Sequence, residues 1–109
     1  MPTYEGLVIE ALAARTRRSI FELLADGPRS VVEIASAVPV SRPAVSQHLR
    51  VLKEVHLVDS RAQGTRRIYS VDPRGLQAAR AYFERFWAGA LAAYAREVDR
   101  TEPEKGNDQ

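Results

Sequence analysis

Apolar residues recur at helical spacing from the start of the chain. Thr3 precedes Leu7, Val8, Ala11 and Leu12, which predicts a first helix capped by Thr3 and ending near Ala13. Thr16 stands before Ile20, Phe21, Leu23 and Leu24, a second helix with Thr16 as its cap and Asp26-Gly27-Pro28 as its stop. Ser30-Val31-Val32-Glu33 has the form of a capping box, and Val31, Ile34, Ala35 and Val38 give a third, short helix that Pro39 ends. Ser41 caps a fourth helix, with Pro43 tolerated in a first turn whose N–H groups have no intrahelical partner. This helix is two-sided. Val45, Leu49, Leu52 and Val55 form one stripe, while Arg42, Ser46, Arg50 and Lys53 share another face.

The period then changes. Residues 57–63 and 67–71 are short runs containing Val, Ile and Tyr, and Gly64-Thr65-Arg66 between them predicts a β-hairpin. Asp72-Pro73 restarts helix, with Asp72 as N-cap. Leu76, Ala79, Phe83, Phe86, Trp87, Ala90, Leu91, Tyr94 and Val98 then sustain the helical period almost to Arg100, about twice the usual helix length. No internal repeat interrupts the series. Two short helices joined by a tight turn and followed by a hairpin describe a winged helix-turn-helix, a mainly α fold with a small β-hairpin wing. The expected layout is one domain over residues 1–100: recognition helix about 41–55, wing about 57–72 and long dimerisation helix about 73–99. Residues 101–109 are expected to form a disordered acidic tail.

At 109 residues, with 45% hydrophobic and 28% charged positions, the chain has the composition of one globular domain. So small a body covers a long apolar helix poorly, which favours burial against a second copy. The absence of cysteine excludes disulfides and thiolate metal sites. No stretch is apolar enough to span a membrane, and the N-terminal arginines follow the apolar residues instead of preceding them, so a cytoplasmic protein is expected. The net charge of +2 is modest, but its distribution is uneven. Residues 41–74 carry seven basic side chains against three acids, whereas residues 97–109 carry five acids against Arg100 and Lys105. A local basic face in the middle of the chain is the footprint of a DNA binder.

The fourth helix supplies the first candidates. Arg42 and Arg50 suit guanine edges or phosphate, Gln47 suits adenine and Ser46 suits either. The competing reading is an ordinary solvated face; the cap, the short turn and the following hairpin favour DNA. Ser41 is a cap whose helix N-terminus can also hold a phosphate. His48, at the edge of the core stripe, is open between a structural role and a phosphate contact. On the hairpin, Arg66 and Arg67 are candidate phosphate or minor-groove contacts, with Arg61 at the wing base. Arg15, Arg17 and Arg18 touch phosphates or are merely solvated.

The stretch Ser41-Arg42-Pro43-Ala44-Val45-Ser46-Gln47-His48-Leu49-Arg50-Val51-Leu52, with Leu57-Val58, Arg61, Gly64 and Tyr69, resembles the signature of the ArsR/SmtB family of bacterial winged-helix repressors. Residues 14–24 are similar to that family's second helix, and the resemblance covers about residues 5 to 95. It implies a homodimer that binds palindromic operator DNA and represses transcription. It further implies that the last helix pairs with the first across a two-fold axis, through Leu7, Ala11, Phe83, Phe86, Trp87, Ala90, Leu91 and Tyr94. The aromatic stripe, Tyr82 included, is therefore read as core or interface and not as a ligand pocket. His56 stands where the family usually has glycine and is read as a substitute C-cap.

Many members of that family release DNA on binding metal. The cysteines of their thiolate site correspond here to the Ser30–Val32 region, and the carboxylate and histidine site of the last helix has no histidine to use, since none follows Leu57. Glu84, Glu97 and Asp99 alone suit only a weakly held hard cation. No metal and no cofactor is expected. Catalysis has no support either: the chain lacks a cysteine nucleophile, a glycine-rich phosphate loop and a plausible serine–histidine constellation. The alternative is a winged-helix adaptor whose basic face docks an acidic protein; an effector, small molecule or protein, is left open.

Overall fold

The computed structural model describes residues 2–101. The element order is α1 (Tyr4–Ala13), α2 (Arg15–Ala25), β1 (Arg29–Ser30), α3 (Val31–Ala37), α4 (Arg42–Glu54), β2 (Val58–Gln63), β3 (Arg66–Val71) and α5 (Pro73–Thr101). Five helices and a small antiparallel sheet make the winged helix-turn-helix expected from the pattern. Thr101 belongs to the last helix and not to a tail, and the rest of the expected tail lies outside the described residues.

The caps follow local chemistry. Thr3 accepts from the Gly6 N–H at 2.9 Å, and Ser30 and Glu33 form the reciprocal capping box of α3. Thr16 is not a cap. The cap of α2 is Ala14, whose side chain offers nothing, and Thr16 lies inside the helix. Two arginines organise this corner instead. Arg17 Nε donates to Ala11 O at 2.9 Å and Arg18 Nη1 to Leu12 O at 3.2 Å, so carbonyls at the end of α1 are satisfied by the following helix. Arg17 and Arg18 are thereby fastened to the end of α1.

One core serves all the helices. Val8, Ile20, Ile34, Val45, Leu49, Leu52, Leu57 and Val58 are fully buried, and α4 contributes three of them from the stripe Val45, Leu49 and Leu52. The sheet has the order β1-β3-β2. The two residues of β1, invisible as a strand in the sequence, pair Arg29 with Tyr69 and Ser30 with Ile68. In the wing, Gln63 pairs with Arg66 across Gly64 and Thr65. Gly64 takes φ +64°, the positive value that the first position of a two-residue hairpin loop requires.

The end of α4 fixes both the wing and α5. His56 has φ +61°, its N–H donates to Lys53 O at 3.0 Å, and the Leu57 N–H donates to Leu52 O at 2.9 Å. These are the two bonds of a Schellman cap, so His56 is the left-handed C-cap expected of it. Tyr4 Oη donates to the neighbouring Val55 O at 2.7 Å. Asp72 N–H then donates to Leu57 O and Gly75 N–H to His56 O, the latter at 2.7 Å. A Cβ on Gly75 would lie 2.5 Å from His56 O, so only glycine allows α5 to start this close to the turn. Asp72 caps α5 by accepting from the Arg74 N–H at 3.0 Å and also binds the Arg74 guanidinium.

After packing Ala78 and Ala79 into the core, α5 leaves the body. Its 29 residues span about 43 Å. The molecule extends 71 Å along its long axis, and its radius of gyration is 20.1 Å, against about 13 Å for a compact chain of this length. Arg85 ties α5 back to α1 by an ion pair with Glu5, while its guanidinium lies over the Tyr82 and Phe86 rings. No helix among the described residues is long and apolar enough to cross a membrane.

Candidate nucleic-acid interface

The buried stripe of α4 determines what its other face presents. Ser41 Oγ accepts from the Ala44 N–H at 3.3 Å and starts the helix, with Pro43 in its first turn. Since Val45, Leu49 and Leu52 point inward, Arg42, Ser46, Gln47 and Arg50 are all exposed. Among the described residues none of these four makes a side-chain hydrogen bond or ion pair. Their donors and acceptors are available to a partner along a row about two turns long.

His48 stands between the two faces. It is half-buried, and its Nδ1 is shut off from solvent with no hydrogen-bond partner among the described residues. That nitrogen faces the protein, so only the other edge of the ring can address an external group.

The wing arginines divide by strand alternation. Arg61 and Arg66 share one sheet face, because Arg61 pairs with Ile68 and Gln63 with Arg66; Arg67, opposite Ala62, belongs to the other face. Arg66 pairs loosely with Glu33 of α3, 3.6 Å away, in an exposed bridge. Arg67 Nη1 donates to Ser60 Oγ, which also accepts from Lys53 Nζ, both at 3.0 Å. Arg61 is exposed. The start of α4 and the wing tip meet in a cleft of 200 Å³ lined by Ser30, Val31, Val32, Arg42, Thr65, Arg66 and Arg67. Arg42, Arg66 and Arg67 thus all border one cleft, and Glu33 pairs with Arg66 beside it.

Two polar residues of this surface were not among the sequence candidates. Lys53 was visible as the last member of the basic face of α4, but its link to Ser60 joins residues from a helix and a strand that only the fold brings together. Ser60 carries no compositional signal, and only the strand register places it on the Arg67 face.

A second exposed surface is apolar. Leu76, Phe83, Phe86, Trp87, Leu91 and Tyr94 stand out from α5, and Trp87 is 66% exposed; Leu7 of α1 is exposed as well, and Ala90 lies in the same row. Ala11 does not belong to this surface. It is 3% exposed and packed in the protomer's own core, because the α1 face that carries it turns inward beneath the other helices. Among the described residues no group of three or more histidine, cysteine or carboxylate side chains converges as a metal site would require.

Residues 12–61 match the family model described as a helix-turn-helix domain. The chain is similar to the HTH-type transcriptional regulator Rv2034 of Mycobacterium tuberculosis, with 57% identity over 90 residues, covering 83% of this chain and 84% of the relative. It is also similar to the transcriptional repressor SdpR of Bacillus subtilis, with 33% identity over 70 residues, covering 64% and 78% of the two chains. Among solved structures, that of Mb0332 from Mycobacterium bovis superimposes with a TM-score of 0.60 at 33% identity, covering 85% of this chain and 78% of that one. It is described as a homodimeric winged helix-turn-helix DNA-binding domain from a possible ArsR-family transcriptional regulator. Relatedness across most of both chains, together with the α4 signature and the wing, shows that this chain belongs to the ArsR/SmtB family of helix-turn-helix transcriptional regulators.

Proposed function

We propose that the protein is a cytoplasmic, dimeric repressor that binds a palindromic operator and does not sense metal. The observation that carries this reading is the pairing of two exposed surfaces: an uncommitted basic and polar row on α4, and an apolar stripe on α5. Aromatic side chains in a row on a solvent-facing helix are unfavourable for a lone protomer, and a second copy supplies the cover. The homodimeric state of the Mycobacterium bovis protein supports the same arrangement here. A two-fold axis through α5 would present two α4 helices to one duplex, and recognition helices about 34 Å apart match successive major grooves on one DNA face.

Arg42, Ser46, Gln47 and Arg50 then address base edges and nearby phosphates, with Ser41 at the phosphate-facing helix end, and Arg61, Arg66 and Arg67 extend the contact along the backbone. His48 serves mainly to pack α4 and offers its outer edge to a phosphate. Repression follows from occupancy of promoter DNA, and the relative named as a repressor supports that direction. The absence of cysteine, and of histidine beyond Leu57, supports control by something other than a metal.

Fluorescence-anisotropy titration against DNA from upstream of the protein's own gene, with scrambled competitor at physiological salt, tests the reading. Tight and sequence-selective binding is expected. Equal, weak affinity for every duplex would replace it with the adaptor reading.

A further inference from the structure

The recognition helix and the wing are joined at one point by a hydroxyl held between two cations. Ser60 Oγ accepts from Lys53 Nζ and from Arg67 Nη1, each 3.0 Å away, so the two positive groups lie within twice that distance of one another. Among the described residues neither Lys53 nor Arg67 has a carboxylate within ion-pair distance, although five other arginines do. Asp59, the neighbouring acid on β2, is engaged by backbone, its Oδ1 accepting from the Ser60 N–H at 2.8 Å. Two like charges thus share a neutral oxygen, an arrangement that an anion would relieve.

The unused donors fit a tetrahedral oxyanion. Because Ser60 Oγ accepts twice, its own proton is left for a third partner; the Lys53 ammonium keeps further N–H groups, and the Arg67 guanidinium keeps several more. Guanidinium, ammonium and hydroxyl together match the non-bridging oxygens of a phosphodiester. The location selects the source of that phosphate. Lys53 ends the basic row of α4 and Arg67 belongs to the wing, so an anion here touches both elements assigned to DNA.

We propose that Lys53, Ser60 and Arg67 form a clamp for one DNA backbone phosphate, which locks the wing to the recognition helix when the protein is bound. This rests on the DNA-binding reading above. The clamp carries no sequence information; it sets the position of the protein on the duplex while α4 reads the bases.

The test compares the parent protein with Lys53→Ala and Ser60→Asp on two duplexes: the tightest one selected by the parent from a random library, and a scrambled duplex of the same composition. Lys53→Ala is expected to weaken both by a similar factor, roughly three- to tenfold at physiological salt, and to reduce the slope of log affinity against log salt by about 0.9. Ser60→Asp supplies an internal anion between the two cations; it should melt no lower than the parent while losing more than about tenfold on both duplexes. Unchanged affinity and slope in both variants, or a loss confined to the selected duplex, would overturn the clamp. Inorganic phosphate binding that Lys53→Ala abolishes, while both duplexes are bound as tightly as by the parent, would assign the site to a free anion and overturn it too. If the parent itself binds neither duplex, the DNA reading fails with it, an outcome distinct from indifferent variants of a binding parent.

Discussion

Gly75→Ala is a single methyl group added where the fold has no room. The Cβ would meet His56 O at 2.5 Å, His56 C at 2.7 Å and Leu57 Cα at 2.8 Å, all backbone atoms of the Schellman turn that ends α4. No side chain can swing aside, so the start of α5 must move away from the turn. Intrinsic helix propensity favours alanine by about 1 kcal/mol. Against this stand an overpacking cost of about 1–3 kcal/mol and two backbone hydrogen bonds, Gly75 N–H to His56 O and Asp72 N–H to Leu57 O, each contributing about 1 kcal/mol. The net is a destabilisation of about 2–4 kcal/mol, a fall in Tm on the order of 10–20 °C for a domain of this size. Gly89→Ala is the internal control. Nothing lies within 4 Å of its added Cβ and it sits within α5, so propensity alone should stabilise by about 0.5–1 kcal/mol. Thermal melts followed by far-ultraviolet circular dichroism, at matched protein concentration, read both signs. A Gly75→Ala protein that melts at or above the parent would refute the close approach of α5 to the turn.

Three further outcomes follow from the same geometry. Arg50→Ala should cost about 1–3 kcal/mol of specific DNA binding while leaving self-association unchanged; unaltered affinity in an anisotropy titration at moderate salt removes Arg50 from the interface. Trp87→Ala should leave the helical signal of the protomer intact, since the ring is 66% exposed, yet weaken self-association by about 2 kcal/mol or more; sedimentation equilibrium giving the parent's dimer constant would refute the α5 interface. Asp72 is held below the usual carboxylate range, chiefly by the hydrogen bond from the Arg74 side chain, with burial acting in the opposite direction. Its folded pKa being depressed, the stability it contributes is present above the ordinary carboxylate range near pH 4 and disappears as the pH falls through the folded value. Glu33 acts in the same direction, mainly through the Ser30 N–H. Urea melts between about pH 5 and pH 2 should therefore show a shallower acid loss in Asp72→Asn than in the parent, and parallel curves would contradict the assignment.

Much of the architecture is legible along the chain because its signals are local. The Ser30–Glu33 box, the Ser41 cap, Gly64 at the hairpin loop and Asp72-Pro73 each act within a few residues of themselves. The stripe Val45, Leu49 and Leu52 then orients α4, and with it the row of exposed candidates. What escaped depends on partners distant in sequence. Strand β1 exists because Arg29 and Ser30 find Tyr69 and Ile68, and the capping box on Ser30 advertises only the helix that follows. Thr16 looks like a cap, but Arg17 and Arg18 reach back to carbonyls at the end of α1 and the helix boundary falls at Ala14. Ala11 and Leu7 sit one turn apart on α1, yet one is in the core and the other exposed, a division set by how the other helices pack on it. The contact of Lys53 and Arg67 through Ser60 is likewise a product of the wing folding against the end of α4.

Two copies of this chain, joined through α5, are proposed to place two α4 rows on one duplex. Hydroxyl-radical footprinting of the complex, with the number of chains per duplex measured by sedimentation on the same sample, is the decisive experiment. Two chains per duplex and a two-fold symmetric pattern are expected, with protected patches about one helical turn apart on one face of the DNA. One chain per duplex, or protection without that symmetry, would contradict the dimeric arrangement.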